Sequence, residues 1–239
     1  MPNALIFGAS SGIASALAHQ LTEAGWNVAR ATRSPANLPP LPNTADVLAD
    51  GSTPEGASTA FTHAQEALGD LHAVANCIGS IVLKPAHATS ADTWHDIMKV
   101  NLDSCFYVLQ SAVKAMRKEG GSIAFVSSVA ASRGFANHEA IAAAKAGVEG
   151  LTRSAAATYA AKQIRVNSVA PALTDTPAAS FITDNEAARK ASEAMHPLGR
   201  IGEPNDIASA LAWLLNPAQS WVTGQVLGVD GGLATLHKR

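Results

Sequence analysis

Residues 4–14 read Ala4-Leu5-Ile6-Phe7-Gly8-Ala9-Ser10-Ser11-Gly12-Ile13-Ala14. The four apolar residues predict a buried strand, and the residues after the turn begin a helical pattern that Gly25 is suited to end. Glycine lets a backbone turn tightly and approach a phosphate, and a helix N-terminus offers free N–H groups to an anion. The stretch predicts a strand, a nucleotide-binding turn and a helix, with a tight turn that binds no ligand as the alternative.

The same alternation of strand-length apolar runs and helical patterns continues along the chain. It predicts an α/β fold: one doubly wound, Rossmann-type parallel sheet with helices on both faces, formed by residues 1–239 as a single domain. Further strands are predicted at residues 26–31, 45–49, 71–76, 122–126, 164–169 and 225–229. Further helices are predicted at residues 54–68, 90–100, 102–118, 139–161 and 204–215, with a helical substrate lid at 178–197.

Composition limits the function classes. Of 239 residues, 47% are hydrophobic and 15% charged, which excludes a disordered chain. The net charge of -2 creates no broad field that would attract nucleic acid or an anionic membrane. No apolar run is long enough to span a bilayer, and no targeting segment is visible. These features predict a cytoplasmic protein that acts on a small-molecule substrate, with no nucleic-acid or membrane partner.

Two later stretches place reactive side chains at one edge of the predicted sheet. Ser128 follows the strand that ends near Val126, and Lys145 lies in the alanine-rich helix that comes next. Residues four apart share a helix face, so Ile141 and Lys145 should point the same way. A hydroxyl and an amine should therefore meet at the carboxyl end of the strands, where open α/β sheets bind ligands.

This arrangement resembles the short-chain dehydrogenase/reductase (SDR) family, whose active site combines a serine with a Tyr-x-x-x-Lys helix. The resemblance implies that Ser128 orients the substrate oxygen and that Lys145 binds the nicotinamide ribose. Asn101 matches the active-site asparagine that holds a water near the lysine, although an asparagine between two helical runs is also typical of a cap. The tyrosine position, thirteen residues after the serine, is Ile141, which is not itself catalytic.

The resemblance extends to the cofactor site. The turn is similar to the family's Thr-Gly-x-x-x-Gly-x-Gly, with Phe7 at the threonine and Ala14 at the third glycine. Asn76-Cys77-Ile78-Gly79 looks like a variant of the family's Asn-Asn-Ala-Gly, and residues 171–177 resemble the segment that covers the nicotinamide. These matches imply cofactor contacts from Gly8, Ser10, Ser11, Gly12, Ile13, Asn76, Gly79, Lys145, Pro171, Thr174 and Thr176.

The end of the second strand indicates which dinucleotide binds. An acidic residue there would bind the 2′-hydroxyl of NAD(H). This chain has Thr32 followed by Arg33, and a guanidinium suits a 2′-phosphate. Asp50 lies where the family has an acid bordering the adenine. We therefore predict NADP(H) rather than NAD(H), with a solvated surface arginine as the alternative role for Arg33.

The missing tyrosine leaves three hypotheses open. Isoleucine can neither donate nor accept a proton. The first hypothesis is an active reductase or dehydrogenase whose proton comes from His138, or from Lys145 through a water held at Asn101. Histidine suits proton transfer near neutral pH, and the alternative role for His138 is that of a surface loop histidine. The second is reduction of a conjugated C=C bond. The third is a non-catalytic NADP(H)-binding sensor or scaffold.

Two further expectations concern substrate and assembly. The lid contains few aromatic residues and mixed charge, which suggests a polar or mixed substrate. Family members usually form oligomers through the two long helices around the active-site strand, here residues 102–118 and 139–161, so a homo-oligomer (tetramer or dimer) is implied. Gly147 and Gly150 would allow close helix packing, within the chain or between copies. The lid charges are Asp184, Glu186, Arg189, Lys190 and Glu193.

Overall fold

The computed structural model describes residues 1–35 and 38–237. These residues form one seven-stranded, entirely parallel sheet with helices on both faces, as the sequence predicts. The strands are β1 (Asn3–Phe7), β2 (Asn27–Thr32), β3 (Thr44–Leu48), β4 (Ala73–Asn76), β5 (Gly121–Val126), β6 (Ile164–Pro171) and β7 (Val226–Val229). The α-helices are α1 (Gly12–Glu23), α2 (Pro54–Leu68), α3 (Ala91–Met98), α4 (Ser104–Met116), α5 (Glu139–Tyr159), α6 (Ser180–Thr183), α7 (Glu186–Met195) and α8 (Pro204–Leu215).

The strand order β3-β2-β1-β4-β5-β6-β7 places the first strand beside the fourth. The chain winds in one direction from β1 to β3 and in the other from β4 to β7, so the connections separate at the β1–β4 pair. A crevice opens at such a point, outside the carboxyl ends of the strands. Phe7, the last residue of β1, is paired with Asn76, the last of β4, so the segments after both strands enter this crevice together.

The sheet is buried on both faces. Leu5 and Phe7 of β1 belong to a core shared with α2, α4 and α5, whereas Ala4 and Ile6 belong to a second core shared with α1 and α8. Successive strand residues point to opposite faces, and each face is covered by helices, so near-continuous apolar runs result. In the part of the chain that the structure describes, no helix is long and apolar enough to cross a membrane.

The region around Asn101 differs from the sequence prediction. Instead of two helices separated at Asn101, α3 passes into α4 through a π-helical turn at Lys99–Asp103. Asn101 is buried within this turn, and its amide donates a 3.0 Å hydrogen bond to the carbonyl of Ile97, one turn earlier. The interpretation of Asn101 as a cap is therefore wrong. Single π turns within helices are frequent at functional sites.

The segment 178–197 contains two short helices, α6 and α7. The chain bends after α6, and Asn185 caps α7 by accepting a 3.0 Å hydrogen bond from the N–H of Ala188. Four of the five charged residues predicted for the lid form ion pairs with one another or with Asp175. The pairs are Lys190–Glu186 at 2.7 Å, Arg189–Asp175 at 2.8 Å and Arg189–Glu193 at 3.2 Å.

Candidate active site

A cleft of about 520 Å³ lies at the carboxyl end of the sheet. It is bordered by the segments that follow β1, β4, β5 and β6, by α5 and by the segment 178–197. Twelve of the residues predicted from the sequence line it: Ser11, Gly12, Ile13, Gly79, Asn101, Ser128, His138, Ile141, Lys145, Pro171, Thr174 and Thr176.

Lys145 is held in a buried position by α5. The residue is only 6% exposed, and its Nζ donates a 2.8 Å hydrogen bond to the carbonyl of Val126 at the end of β5. Burial lowers the pKa of Lys145, an effect that the nearby thiols of Cys105 and Cys77 partly oppose. A desolvated amine of this kind changes charge more readily than a surface lysine.

Asn101 and Lys145 approach the same point beside Gly79. A Cβ atom added to Gly79 would lie 3.3 Å from Asn101 Oδ1 and 3.7 Å from Lys145 Nζ. The Asn101 side chain is fixed from both ends by Ser80, whose N–H donates to Oδ1 at 3.1 Å and whose Oγ accepts from Nδ2 at 3.0 Å. The π turn and the loop after β4 thus bring an amide oxygen and an amine close to the same point.

Ser128 lies directly after β5. Its hydroxyl oxygen accepts a 3.2 Å hydrogen bond from the N–H of Ala130, at the start of a short 3-10 turn. A hydroxyl has one proton to donate besides its acceptor sites. Because the Ala130 contact uses an acceptor site, Ser128 retains its O–H for an oxygen bound in the cleft.

Ile141 lies one helical turn before Lys145 and lines the same cleft. It is 6% exposed and belongs to a small apolar cluster with Ile97, Ala140 and Ala144. Ile141, to which the resemblance assigns the tyrosine position, therefore has apolar and closely packed surroundings.

Two histidines line the cleft. His138, predicted from the sequence, precedes α5; its Nδ1 donates to the carbonyl of Ala136 at 2.7 Å, and its ring lies 5.4 Å from that of Phe135. His196, which sequence reasoning missed, follows α7 and is only 1% exposed. Nothing in the sequence marks it, because only the fold shows that Ser192, four residues earlier, also lies in the cleft wall.

The turn after β1 has the shape that a dinucleotide requires. Gly8 has φ +73°, and a Cβ there would come within 3.0 Å of the Cys77 backbone. Gly12 begins α1, and a Cβ on it would lie 3.3 Å from Cγ2 of Thr176, so only a residue without a side chain keeps this space open. Ser11 caps α1 through the N–H of Ala14 at 3.3 Å. This open, N–H-rich cradle fits a pyrophosphate.

The other predicted cofactor residues do not line the cleft. Asn76 is buried and supports the scaffold, since Oδ1 accepts from the N–H of Ile78 at 3.1 Å and Nδ2 donates to Ser104 Oγ at 3.2 Å. Thr32 Oγ1 donates to Ser10 Oγ at 3.3 Å, which places two hydroxyls beside the glycine turn. The six positions outside the cleft lining are Gly8, Ser10, Thr32, Arg33, Asp50 and Asn76.

The carboxyl group of Asp50, in the segment that follows β3, stays ionised. Burial raises the pKa of its carboxyl, but hydrogen bonds from the Ser52 hydroxyl at 2.7 Å and the Ser52 N–H at 3.0 Å lower it, as do the charges of Arg33 and Lys99. The net result is a pKa below the ordinary value. Two cations thus lie within electrostatic range of this carboxylate.

Comparisons with known proteins agree with this geometry. The model of the family described as enoyl-(acyl carrier protein) reductase matches residues 8–234. A tropinone reductase homolog of Arabidopsis thaliana is 41% identical over 167 residues, which cover 69% of this chain and 61% of that protein. Cis-4-hydroxycyclohexanecarboxylate dehydrogenase of Sinomonas cyclohexanicum is 35% identical over 247 residues, covering 98% and 96%.

Among solved structures, the ligand-free aldohexose dehydrogenase of Thermoplasma acidophilum is similar over 100% of this chain and 96% of that chain, with a TM-score of 0.90 and 30% identity. Members of the resembled family bind NAD(P) cofactors, and the glycine cradle, the parallel sheet and the serine, asparagine and lysine of the cleft fit that pattern. The match over residues 8–234, together with these relatives, shows that the chain belongs to the short-chain dehydrogenase/reductase family of oxidoreductases.

Proposed function

We propose that the protein is an NADP(H)-dependent oxidoreductase that transfers hydride to or from a small carbonyl or alcohol and uses a proton donor other than tyrosine. The observation that carries the proposal is that Ser128, Asn101, Lys145 and Ile141 all line one cleft. The resemblance assigns the first three to an oxidoreductase site and the fourth to the position of the usual acid.

The proposed roles follow from the contacts. When bound, the nicotinamide cofactor supplies or accepts the hydride. Ser128 directs its O–H toward the substrate oxygen, polarising it. Lys145 binds the nicotinamide ribose, and Asn101 fixes the region between Lys145 and the loop after β4. The general acid is one of the remaining groups in the cleft wall, which include His138 and Lys145.

The cleft favours a largely apolar substrate. None of the five charged residues of this lid lies among the described residues of the cleft wall. A substrate in the cleft would therefore not contact them, and their mixed charge does not indicate a polar substrate. Residues 178–197, which we propose as a lid, face the cleft with small and apolar side chains and with His196. The apolar wall includes Ile81, Leu83, Val129, Phe135, Ile141, Leu173, Ile182, Met195 and Leu233.

The experiment follows NADPH consumption by the purified protein against ketones, aldehydes, imines and conjugated enones, with NADH in parallel. Cyclohexanone and 2-cyclohexenone head the panel because the wall is apolar and because one relative is named for a cyclohexane alcohol. We expect turnover on at least one apolar member. Silence across the panel while NADPH still binds would favour the non-catalytic sensor or scaffold.

Reduction of a conjugated C=C bond is the second candidate. Ser128 can polarise an enone carbonyl without protonating it directly, and the apolar cluster of Ile141 places hydrocarbon where the tyrosine would be. The matched family model is also described by an enoyl reductase activity. Product analysis with 2-cyclohexenone separates the two, since carbonyl reduction gives the allylic alcohol and double-bond reduction gives cyclohexanone.

The cofactor preference is tested by Arg33→Glu. Hydrogen bonds to charged groups contribute about 1.5–3 kcal/mol, so loss of the guanidinium should weaken NADPH binding by roughly ten- to a hundredfold, while a carboxylate improves NADH binding through the ribose 2′-hydroxyl. Dissociation constants for both cofactors, from the fluorescence of the reduced nicotinamide, measure the change. An unaltered ratio would show that Arg33 is a solvated surface residue.

We further propose that the chain forms a homo-oligomer, a tetramer or a dimer, through α4 and α5. Gly147 packs within the chain, since a Cβ there would lie 2.8 Å from Cδ2 of Leu102, but Gly150 has open space around it and Phe106 of α4 is half exposed. A glycine with free space on one helix and an exposed aromatic residue on the other suit contact with another copy. Light scattering coupled to size exclusion would determine the number of copies.

A further inference from the structure

We propose that Leu233 and Phe135 limit the size of the substrate, by contacting the apolar part of a carbonyl compound in the cleft, and that Arg133 holds both residues in position. The inference rests on the proposed function and deepens it, since it names the residues that select the substrate. It is drawn from the way in which segments distant in sequence are joined at the cleft wall.

Leu233 belongs to a tight turn after β7 whose shape is fixed by hydrogen bonds. The Asp230 carboxylate accepts from the N–H groups of Gly232 and Ala234 at 2.9 Å, and the Leu233 N–H donates to the Asp230 carbonyl at 3.1 Å. Gly231 and Gly232 have φ +61° and +84°, a conformation that residues with side chains rarely adopt. The turn therefore presents Leu233 from a defined backbone.

The Leu233 side chain is buried outside the cores of the fold. The residue is 3% exposed and lines the cleft. Among the described residues, it belongs neither to the two cores of the sheet nor to the apolar cluster of Ile141. A leucine in this position offers its apolar surface to whatever the cleft binds.

Arg133 joins this turn to the segment that follows β5. Its guanidinium donates a hydrogen bond to the carbonyl of Leu233, and it lies over the Phe135 ring, 5.6 Å from the ring centre. Phe135 also lines the cleft. One cation thus contacts the backbone of one apolar wall residue and the ring of another, a combination that suits the planar guanidinium of arginine.

The segment after α7 is joined to the same turn. The N–H of Leu198 donates to the carbonyl of Gly231 at 3.2 Å. The turn is therefore held by two segments, the one that contains Arg133 and the one that follows the lid. Moving Leu233 away from the cleft would require these contacts to break.

A size limit on the substrate follows from this arrangement. In the proposed function Ser128 holds the substrate oxygen, so the hydrocarbon part of a ketone extends along the apolar wall. Because Arg133 fixes Leu233 and Phe135 relative to each other, the wall does not open freely for a bulky substituent. We therefore expect a compact alicyclic ketone such as cyclohexanone to be preferred over 4-tert-butylcyclohexanone.

The test compares these two ketones in wild type, Leu233→Ala and Leu233→Phe. Calorimetry gives their dissociation constants from the protein–NADP⁺ complex, in which no hydride is available, and kcat/KM is measured with NADPH. One methylene in an apolar pocket changes kcat/KM by about ten- to two-hundredfold, so Leu233→Ala should shift the preference toward the larger ketone by about tenfold or more. Leu233→Phe should shift it toward the smaller one, whereas mere damage to the fold would not produce opposite shifts.

Arg133→Met and Arg133→Lys test the positioning role. Methionine removes the hydrogen bond and the cation, so KM for cyclohexanone should rise on the order of tenfold, with kcat and NADPH affinity unchanged. Lysine keeps a donor for the Leu233 carbonyl and should recover part of this loss. Arg117→Met, at the exposed end of α4, is the matched control and should behave as wild type.

Leu236→Ala is the control for the turn, because Leu236 is 59% exposed and is not among the described residues of the cleft wall. An unchanged ketone preference in both Leu233 variants overturns the inference, as does wild type that binds neither ketone. An Arg133→Met protein with wild-type KM overturns the positioning role. Ketone binding with the expected shifts but without NADPH turnover would support the size limit and remove the proposed oxidoreductase function instead.

Discussion

Ile141→Tyr is expected to raise the rate of reduction of simple carbonyl compounds by about a hundred- to ten-thousandfold, the range typical of one correctly placed general acid. Ile141 lies on α5 one turn before Lys145, and both line the cleft with Ser128. A phenol introduced there would face a serine hydroxyl and an amine that are already positioned. Steady-state kcat/KM for cyclohexanone with NADPH is the measurement.

Ile141→Phe is the matched control, because phenylalanine has nearly the volume of tyrosine but no hydroxyl. It imposes the same demand on the apolar cluster of Ile97, Ala140 and Ala144. Overpacking such a site typically costs about 1–3 kcal/mol, so both variants should lose similar thermal stability while only the tyrosine variant gains activity. Equal rates in the two variants, with NADPH affinity preserved, would mean that the pocket has diverged beyond restoration by one side chain.

The same substitution bears on His138, a proton donor considered under the proposed function. If the tyrosine and this histidine are alternative proton donors, their effects will not be additive. His138→Asn should then cost much less in the Ile141→Tyr background than in wild type. A full loss in both backgrounds would indicate that His138 acts on the shape of the cleft rather than on the proton.

The sheet could be predicted from the sequence because its strands are buried on both faces. Such strands consist of apolar runs, which the sequence displays directly. The helix predicted at residues 204–215 has the same bounds as α8. The π turn at Lys99–Asp103 could not be predicted, since nothing within those five residues marks a change of helical register. Its position depends on contacts such as Leu102 against Gly147, which join segments distant in sequence.

The candidate site likewise contains residues that sequence reasoning could identify and residues that it could not. Sequence reasoning could identify Ser128, Lys145, Asn101 and the glycine cradle, because strand ends and helical spacing place them and a family resemblance assigns their roles. It could not identify His196 as a residue of the cleft, because an isolated histidine after a polar helix carries no spacing signal for catalysis. Only the fold shows that it lines the cleft. The orientation of the lid charges likewise depends on which face of α7 meets the cleft.

Lys145→Met is expected to reduce turnover on the order of a thousandfold and to weaken NADPH binding. Hydrogen bonds from a charged group contribute about 1.5–3 kcal/mol each, and a small misplacement of the reacting atoms costs about a hundredfold in rate. Methionine keeps the length and apolar stem of lysine, so the cleft wall should persist. Single-turnover rates and NADPH affinity separate loss of binding from loss of positioning.

The same variant should change how stability depends on pH. Burial lowers the pKa of Lys145 in the folded protein, whereas the unfolded chain keeps a value near 10.5. Between those two values the unfolded state binds more protons, so this lysine makes the folded state more stable as pH rises toward 10.5. The free energy of unfolding of wild type minus that of Lys145→Met should therefore increase with pH in urea titrations from about pH 7 to 10.

Lys162→Met provides the comparison, because Lys162 is exposed at the end of the 3-10 turn after α5. The corresponding difference for this variant is the baseline for removing a lysine that is not buried. Parallel curves for the two variants would mean that Lys145 ionises like a surface lysine. A Lys145→Met protein that kept its turnover would contradict the ribose-binding role, and with it the assignment of the serine, asparagine and lysine as one working site.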